Sequence, residues 1–188
     1  MNKNISPSLS GKDVLPKENN QNLKFFLGID PGYARLGYGI ISFGSDFSRP
    51  QYITSGVFET NAKSTESQRL LQMHLNLTSL ITRFQITHCA IEQVFLKKNL
   101  TTGVQLIQVR GVILLDLEKH QIPYAAVSPT SLKKMITGNG RADKKQIDRM
   151  IKKLLYLEEI PGPDDAADGL SLALYAWLNY RNSAMRPK

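Results

Sequence analysis

Apolar positions recur along this chain with two different periods, and the switch between them marks the elements. Phe25-Phe26-Leu27-Gly28-Ile29-Asp30 is a short apolar run stopped by Pro31-Gly32, which predicts a first strand. Runs at residues 38–43 and 52–59 predict two more, and the short polar connections between the three imply an antiparallel meander. The period then lengthens. Leu70, Met73, Leu77, Leu80, Ile81 and Phe84 recur at three- and four-residue steps, predicting an amphipathic helix over residues 67–84. Cys89-Ala90-Ile91-Glu92 reads as a compact strand. A long helix is expected over residues 101–119, with Val104, Ile107, Gly111, Leu114 and Leu115 on its core face and Leu106, Val109 and Ile113 off it. Residues 124–127 make a further strand, and Ser128-Pro129 suits the N-cap and first position of the next helix. Thr137-Gly138-Asn139-Gly140 breaks that helix, and a basic helix is expected over residues 143–157. After Pro161-Gly162-Pro163, residues 165–179 are apolar nearly all round and predict a buried helix. The order βββ-α-β-α-β-α-α implies an α/β domain. Its mixed five-stranded sheet has three antiparallel strands, then parallel strands reached through helical crossovers, with helices flanking it.

The 188 residues amount to about one domain. Residues 1–22 are rich in Asn, Ser, Lys and Pro without periodicity and are expected to form a flexible tail. The folded domain is expected over residues 23–180, followed by a short basic tail over 181–188. A hydrophobic fraction of 41% with 21% charged residues excludes wholesale disorder. No apolar run approaches the ~20 residues of a membrane-spanning helix, and the N-terminus lacks the apolar stretch of a secretory signal. Cys89 is the single cysteine, so there is no internal disulfide and no thiolate cluster for a metal. A reducing, cytoplasmic setting is therefore expected, with no membrane partner.

Charge changes the picture more than composition does. The net charge is +8, and the segment from Thr130 to Lys153 holds eight basic residues against two acids, Asp143 and Asp148. A basic run can be an ordinary solvated helix face or a surface that binds phosphate, and concentration of the charge in one segment favours an anionic partner.

The acids stand where acids are least expected. Asp30 and Glu92 end apolar strands, while Asp165 and Asp168 open an otherwise apolar helix. Each has an ordinary explanation: a turn cap for Asp30, an N-cap for Asp165, a salt bridge for Glu92. Together they fit another one. Asp165 and Asp168 project from one helix face, with Cβ atoms about 5–6 Å apart. Adjacent strands could bring Asp30 and Glu92 to the same place. Four clustered carboxylates repel one another unless cations neutralise them. Two Mg²⁺ ions would supply +4 and take oxygen ligands, and a pair about 3.5–4 Å apart suits phosphodiester hydrolysis.

Phe26-Leu27-Gly28-Ile29-Asp30-Pro31-Gly32, Gly37-Tyr38-Gly39, Ala90-Ile91-Glu92-Gln93-Val94-Phe95 and Asp165-Ala166-Ala167-Asp168 resemble, in order and spacing, the RuvC family of bacterial Holliday-junction resolvases. The likeness extends from about residue 25 to residue 177. It implies an RNase H-like fold and a homodimeric, Mg²⁺-dependent endonuclease, with Mn²⁺ as a possible substitute, that nicks two opposing strands of a four-way junction. It also implies partnership with the RuvA–RuvB branch-migration complex. By the same resemblance, Asp30, Glu92, Asp165 and Asp168 match the four catalytic, metal-binding acids. Phe95 matches an aromatic that stacks on bases at the junction centre, and Lys133 and Lys144 match lysines that contact DNA near the cut. Lys134 and Lys145 offer alternative registers for the two lysines, and Asp164 for Asp165. Gly169 stands where the family commonly has Ala, a change expected to cost roughly 1 kcal/mol of helix stability.

Three other readings are open at this point. An actin-like ATPase also starts with an apolar strand ending in Asp, but needs two such domains. A non-catalytic junction-binding module would gain nothing from four acids facing phosphate. An RNase H-like nuclease acting on another nucleic acid shares the acids and differs only in substrate. His74, His88, His120 and Trp177 show no ligand spacing and read as structural.

Overall fold

The computed structural model describes residues 23–44, 49–94 and 100–184. The strands are β1 (Lys24–Asp30), β2 (Arg35–Phe43), β3 (Gln51–Glu59), β4 (His88–Glu92) and β5 (Tyr124–Val127). The helices are α1 (Glu66–Phe84), α2 (Leu100–Lys119), α3 (Pro129–Thr137), α4 (Lys144–Leu155) and α5 (Asp164–Ala184). The strands form one sheet in the order β3-β2-β1-β4-β5. β1–β2 and β2–β3 are antiparallel, whereas β1–β4 and β4–β5 are parallel, as the element order implies.

Strand alternation divides the core into two layers. Leu27 and Ile29 point to one face of the sheet, where Met73, Leu77 and Ile81 of α1 and Val109, Ile113 and Leu117 of α2 cover them. Phe26, Ile41 and Ala90 point to the other, beneath Leu170, Ala173, Leu174 and Trp177 of α5, with Ile136, Ile151 and Leu155 from α3 and α4 alongside. The buried helix expected near the C-terminus is α5, and it lies across the middle of the sheet. It comes unusually close. A Cβ built on Gly28 would stand 2.1 Å from the Gly169 carbonyl oxygen and 2.2 Å from the Ala173 nitrogen.

Local capping explains the helix starts. Thr65 and Asp143 each form a reciprocal capping box with the Gln three residues on, and Ser128 caps α3 with Pro129 in the first turn. Tyr156 adopts the left-handed conformation (φ 55°) and ends α4 at Leu155, two residues before the expected end.

Three expectations need correcting. In α2 the buried face differs from the expected one: Val109 and Ile113 are buried together with Leu117, while Val104, Ile107 and Leu115 are 54%, 48% and 60% exposed, and only Leu114 of the expected face packs against the core. This helix is apolar on nearly every side, so its sequence carries little contrast to orient it, and the contact with α1 and the sheet selects the face. α5 runs to Ala184, several residues into the segment expected as a tail. Gly169, finally, is no simple defect of the helix. A Cβ there would lie 2.4 Å from the backbone carbon of Tyr38, so its absence lets α5 rest on β2.

Candidate active site

Parallel pairing fixes where two of the acids go. Ile29 sits beside Ile91 in the β1–β4 register, so Asp30 and Glu92, the next residue on each strand, leave the sheet at the same end. The carboxyl ends of parallel strands are a common location for sites in α/β folds. The two carboxyls stand close enough to interact, and Glu92 favours the protonated form of Asp30. Burial, the Glu92 hydrogen bond and charge, and then the charges of Asp168 and Asp165 push the Asp30 carboxyl up to about 8.

α5 supplies the other two. Its first turn rests on β2 at Gly37, where a Cβ would come within 2.1 Å of the Asp165 carbonyl oxygen. Gly37 is the register partner of Asp30 on the neighbouring strand, so this contact sets Asp165 beside the strand-end acids. Asp168 follows one turn later and its carboxyl is also raised. Partial desolvation is the main cause; Lys144 opposes it, and Glu92, Asp165 and Asp164 add to it. The Ser171 hydroxyl donates to the Asp168 carbonyl oxygen (2.7 Å).

The two adjacent aspartates have different surroundings. Asp164 is 87% exposed and pairs with Lys144 Nζ at 2.9 Å, a contact that raises the Lys144 ammonium above its usual range. Asp165 is 36% exposed and pairs with Arg35 Nε at 2.9 Å, while Arg35 also reaches Glu59 at 3.6 Å. Asp165 acts on the Asp30 carboxyl, and Asp164 does not figure among the groups that do.

Lys133 comes to the acids as well. Glu92 pairs with Val127 at the end of β5, and Ser128 then starts α3 directly. A cleft at this junction is lined by Glu92, Asp168, Lys133 and Ser171, with Pro129, Leu132, Ile147 and Leu172 as its apolar side. Lys134 and Lys145, the alternative lysines, are exposed and do not line it. Lys144 stands at the edge through Asp164. Phe95 lies outside the described residues. His74 pairs with buried Asp116 at 2.6 Å and His88 stacks on Phe26, so both are structural, as is Trp177 in the core.

The donor set suits a hard divalent cation: carboxylate oxygens only, with Asp30 and Asp168 both raised first by desolvation and then by neighbouring acids. As the side chains lie, no three acids among the described residues converge on one ion position. Asp30 faces Glu92, and Asp165 is paired with Arg35. Arg35 is the residue that sequence reasoning missed. Its position opposite Glu59 resembles an ordinary cross-strand ion pair, and nothing local points to Asp165.

The family model "Crossover junction endodeoxyribonuclease RuvC" fits residues 26–176. The RuvC of Petrotoga mobilis is 43% identical over 158 residues, covering 84% of this chain and 94% of the relative. That of Caldicellulosiruptor saccharolyticus is 44% identical over 150 residues, covering 79% and 89%. Among solved structures, Thermus thermophilus RuvC superposes with a TM-score of 0.78 at 24% identity, covering 87% of this chain and 99% of that one. The same protein in complex with Holliday junction substrate gives 0.76 at 22% identity, covering 88% and 99%. The fold is therefore RNase H-like, and the chain belongs to the RuvC family of crossover junction endodeoxyribonucleases, a family of metal-dependent nucleases.

Proposed function

We infer that this chain is a hydrolytic endonuclease that resolves four-way (Holliday) DNA junctions in recombination and repair, using Asp30, Glu92, Asp165 and Asp168 as its catalytic acids. The observation that carries this reading is the meeting of strand-end and helix-start acids beside Lys133, in a member of this family. A pair of Mg²⁺ ions, with Mn²⁺ as substitute, would supply Lewis-acid activation of water and stabilisation of the leaving oxygen when held by the four acids. The chain's own groups do the rest. Asp30 releases its proton to solvent to join Glu92 in the donor set. Gly37 and the first turn of α5 fix Asp165 and Asp168 against β2. Lys133, on the cleft wall, is placed to steady developing charge on the scissile phosphate. Lys144 contacts the DNA backbone at the rim, giving up Asp164 when phosphate arrives. Phe95 stacks on an unpaired base at the opened junction.

The junction has twofold symmetry, so paired nicks in one encounter call for two acid clusters and hence a homodimer. The exposed stripe Val104, Ile107, Gly111 and Leu115 on α2 is the face offered to the second copy. The reading extends to a cytoplasmic protein that acts with RuvA–RuvB; among the described residues no helix is long and apolar enough to cross a membrane.

The direct test is cleavage of a labelled four-way junction, a matched linear duplex and an RNA–DNA hybrid, with and without Mg²⁺. Symmetric, Mg²⁺-dependent nicks confined to the junction are expected. Preferential cutting of the hybrid or duplex would move the protein to another RNase H-like activity. Binding without cutting would leave a junction-binding module.

A further inference from the structure

Arg35 is the one basic side chain, among the ion pairs of the described residues, that grips an acid of the candidate site directly. It opens β2, two residues before Gly37, so alternation puts both on the same face of the strand, under the first turn of α5. From there Gly37 accepts the Asp165 backbone and Arg35 holds the Asp165 Oδ2 at 2.9 Å. The second arm of the contact is looser: Glu59, the register partner of Arg35 on β3, stands 3.6 Å from the same Nε. The guanidinium thus bridges a site acid and an acid outside the site. It offers Asp165 a fixed positive charge, and it takes an oxygen that a divalent cation would otherwise use.

We propose that Arg35 is a positioning residue that competes with divalent cation for Asp165, standing in for the cation in the metal-free protein and yielding Oδ2 on loading. This rests on the reading of Asp165 as a cation ligand. Two consequences have opposite signs. Without cation, Arg35 offsets repulsion among Asp30, Glu92, Asp165 and Asp168, so its removal lowers metal-free stability. With cation, the ion pair must be broken or shared, so its removal tightens binding.

The test is Mn²⁺ binding to the full-length protein, followed by electron paramagnetic resonance of free Mn²⁺, with thermal melting in chelator alongside. Arg35→Ala is expected to bind Mn²⁺ about 3- to 10-fold more tightly than the parent and to melt lower in chelator; Arg35→Gln serves if the alanine variant does not fold. Lys134→Ala removes the same charge from an exposed position that does not line the cleft, and should leave Mn²⁺ affinity within twofold. Unchanged or weaker Mn²⁺ binding by the Arg35 variants overturns the proposal, weaker binding meaning that Arg35 holds Asp165 ready for the ion. An equal gain in Lys134→Ala overturns it too, since bulk charge would then suffice. Asp30→Asn separates the two readings. If it loses Mn²⁺ binding while Arg35→Ala matches the parent, only the role of Arg35 falls. If Asp30→Asn binds as the parent does, the site itself is wrong.

Discussion

At the end of β1, a carboxyl that keeps its proton to about pH 8 links folding to pH. The unfolded chain releases that proton near the ordinary aspartate value of 3.8, and the folded chain holds it. The folded pKa is raised, so below about pH 4 both states are protonated and nothing is lost. As pH rises from 4 to 8 the unfolded state binds fewer protons, and stability falls. In chelator, the melting temperature should therefore decline over that window and level off above it, with Asp30→Asn flattening the slope. A melting curve series that is flat in the parent would remove the buried acid pair from the account. The four acids also carry a functional prediction. Asp30→Asn, Glu92→Gln, Asp165→Asn and Asp168→Asn should each lower junction cutting by at least 100-fold while gel-shift affinity for the junction stays within a few-fold. Asp164→Asn should cut normally, because its carboxylate lies out in solvent on Lys144; a dead Asp164 variant beside an active Asp165 variant would shift the assignment by one residue.

Elements here are positioned by contact as much as by pattern. α5 can lie flat on the sheet because Gly28 carries no side chain beneath it. Alanine at 28 would ordinarily be neutral or slightly favourable in an extended strand, since it loses less entropy on folding. Here its methyl would meet helix backbone, which cannot rotate away, so Gly28→Ala should destabilise by about 1–3 kcal/mol or more. Urea unfolding would read this as a lower midpoint at constant slope. α2 allows a paired comparison. Ile113→Ala empties a core position and should cost about 2–5 kcal/mol, whereas Ile107→Ala, on the exposed stripe, should leave the stability of the folded chain nearly unchanged. Equal losses would mean that the two faces are not distinguished as described.

For the whole molecule, charge and symmetry matter together. The net +8 is concentrated on α3, α4 and the turn between them, beside the acids, so one side of the domain attracts phosphate while the cleft within it is acidic. The exposed apolar stripe of α2 lies on the opposite helical layer, away from α3–α5. If the proposed homodimer forms through this stripe, Ile107→Glu should yield a monomer, read by sedimentation velocity at the concentrations used for cutting. In the parent, mixed dimers of wild-type and Asp30→Asn chains should nick one strand of a supercoiled cruciform plasmid, giving open circle instead of linear product. Paired nicks from an Ile107→Glu monomer would rule out the dimer requirement.

The amino-acid sequence by itself determined the elements and their sheet. Apolar period two against period three-to-four, with Pro-Gly stops, carries that information locally, and strand boundaries moved by at most three residues. It also placed the acids at strand ends and at a helix start, because a carboxylate inside an apolar run is conspicuous wherever the strand goes. Tertiary structure alone decided the rest. Val109 and Ile107 differ little in chemistry, so the buried face of α2 follows from what packs on it and not from its own pattern. Gly169 reads locally as a weakened helix, and its close fit exists only once β2 lies beneath α5. Arg35 lies before the strand expected over residues 38–43, and its pairing with Glu59 appears only in the folded sheet. Only the crossing of α5 over β2 brings Asp165 within reach of the same guanidinium, a long-range contact that no local pattern encodes.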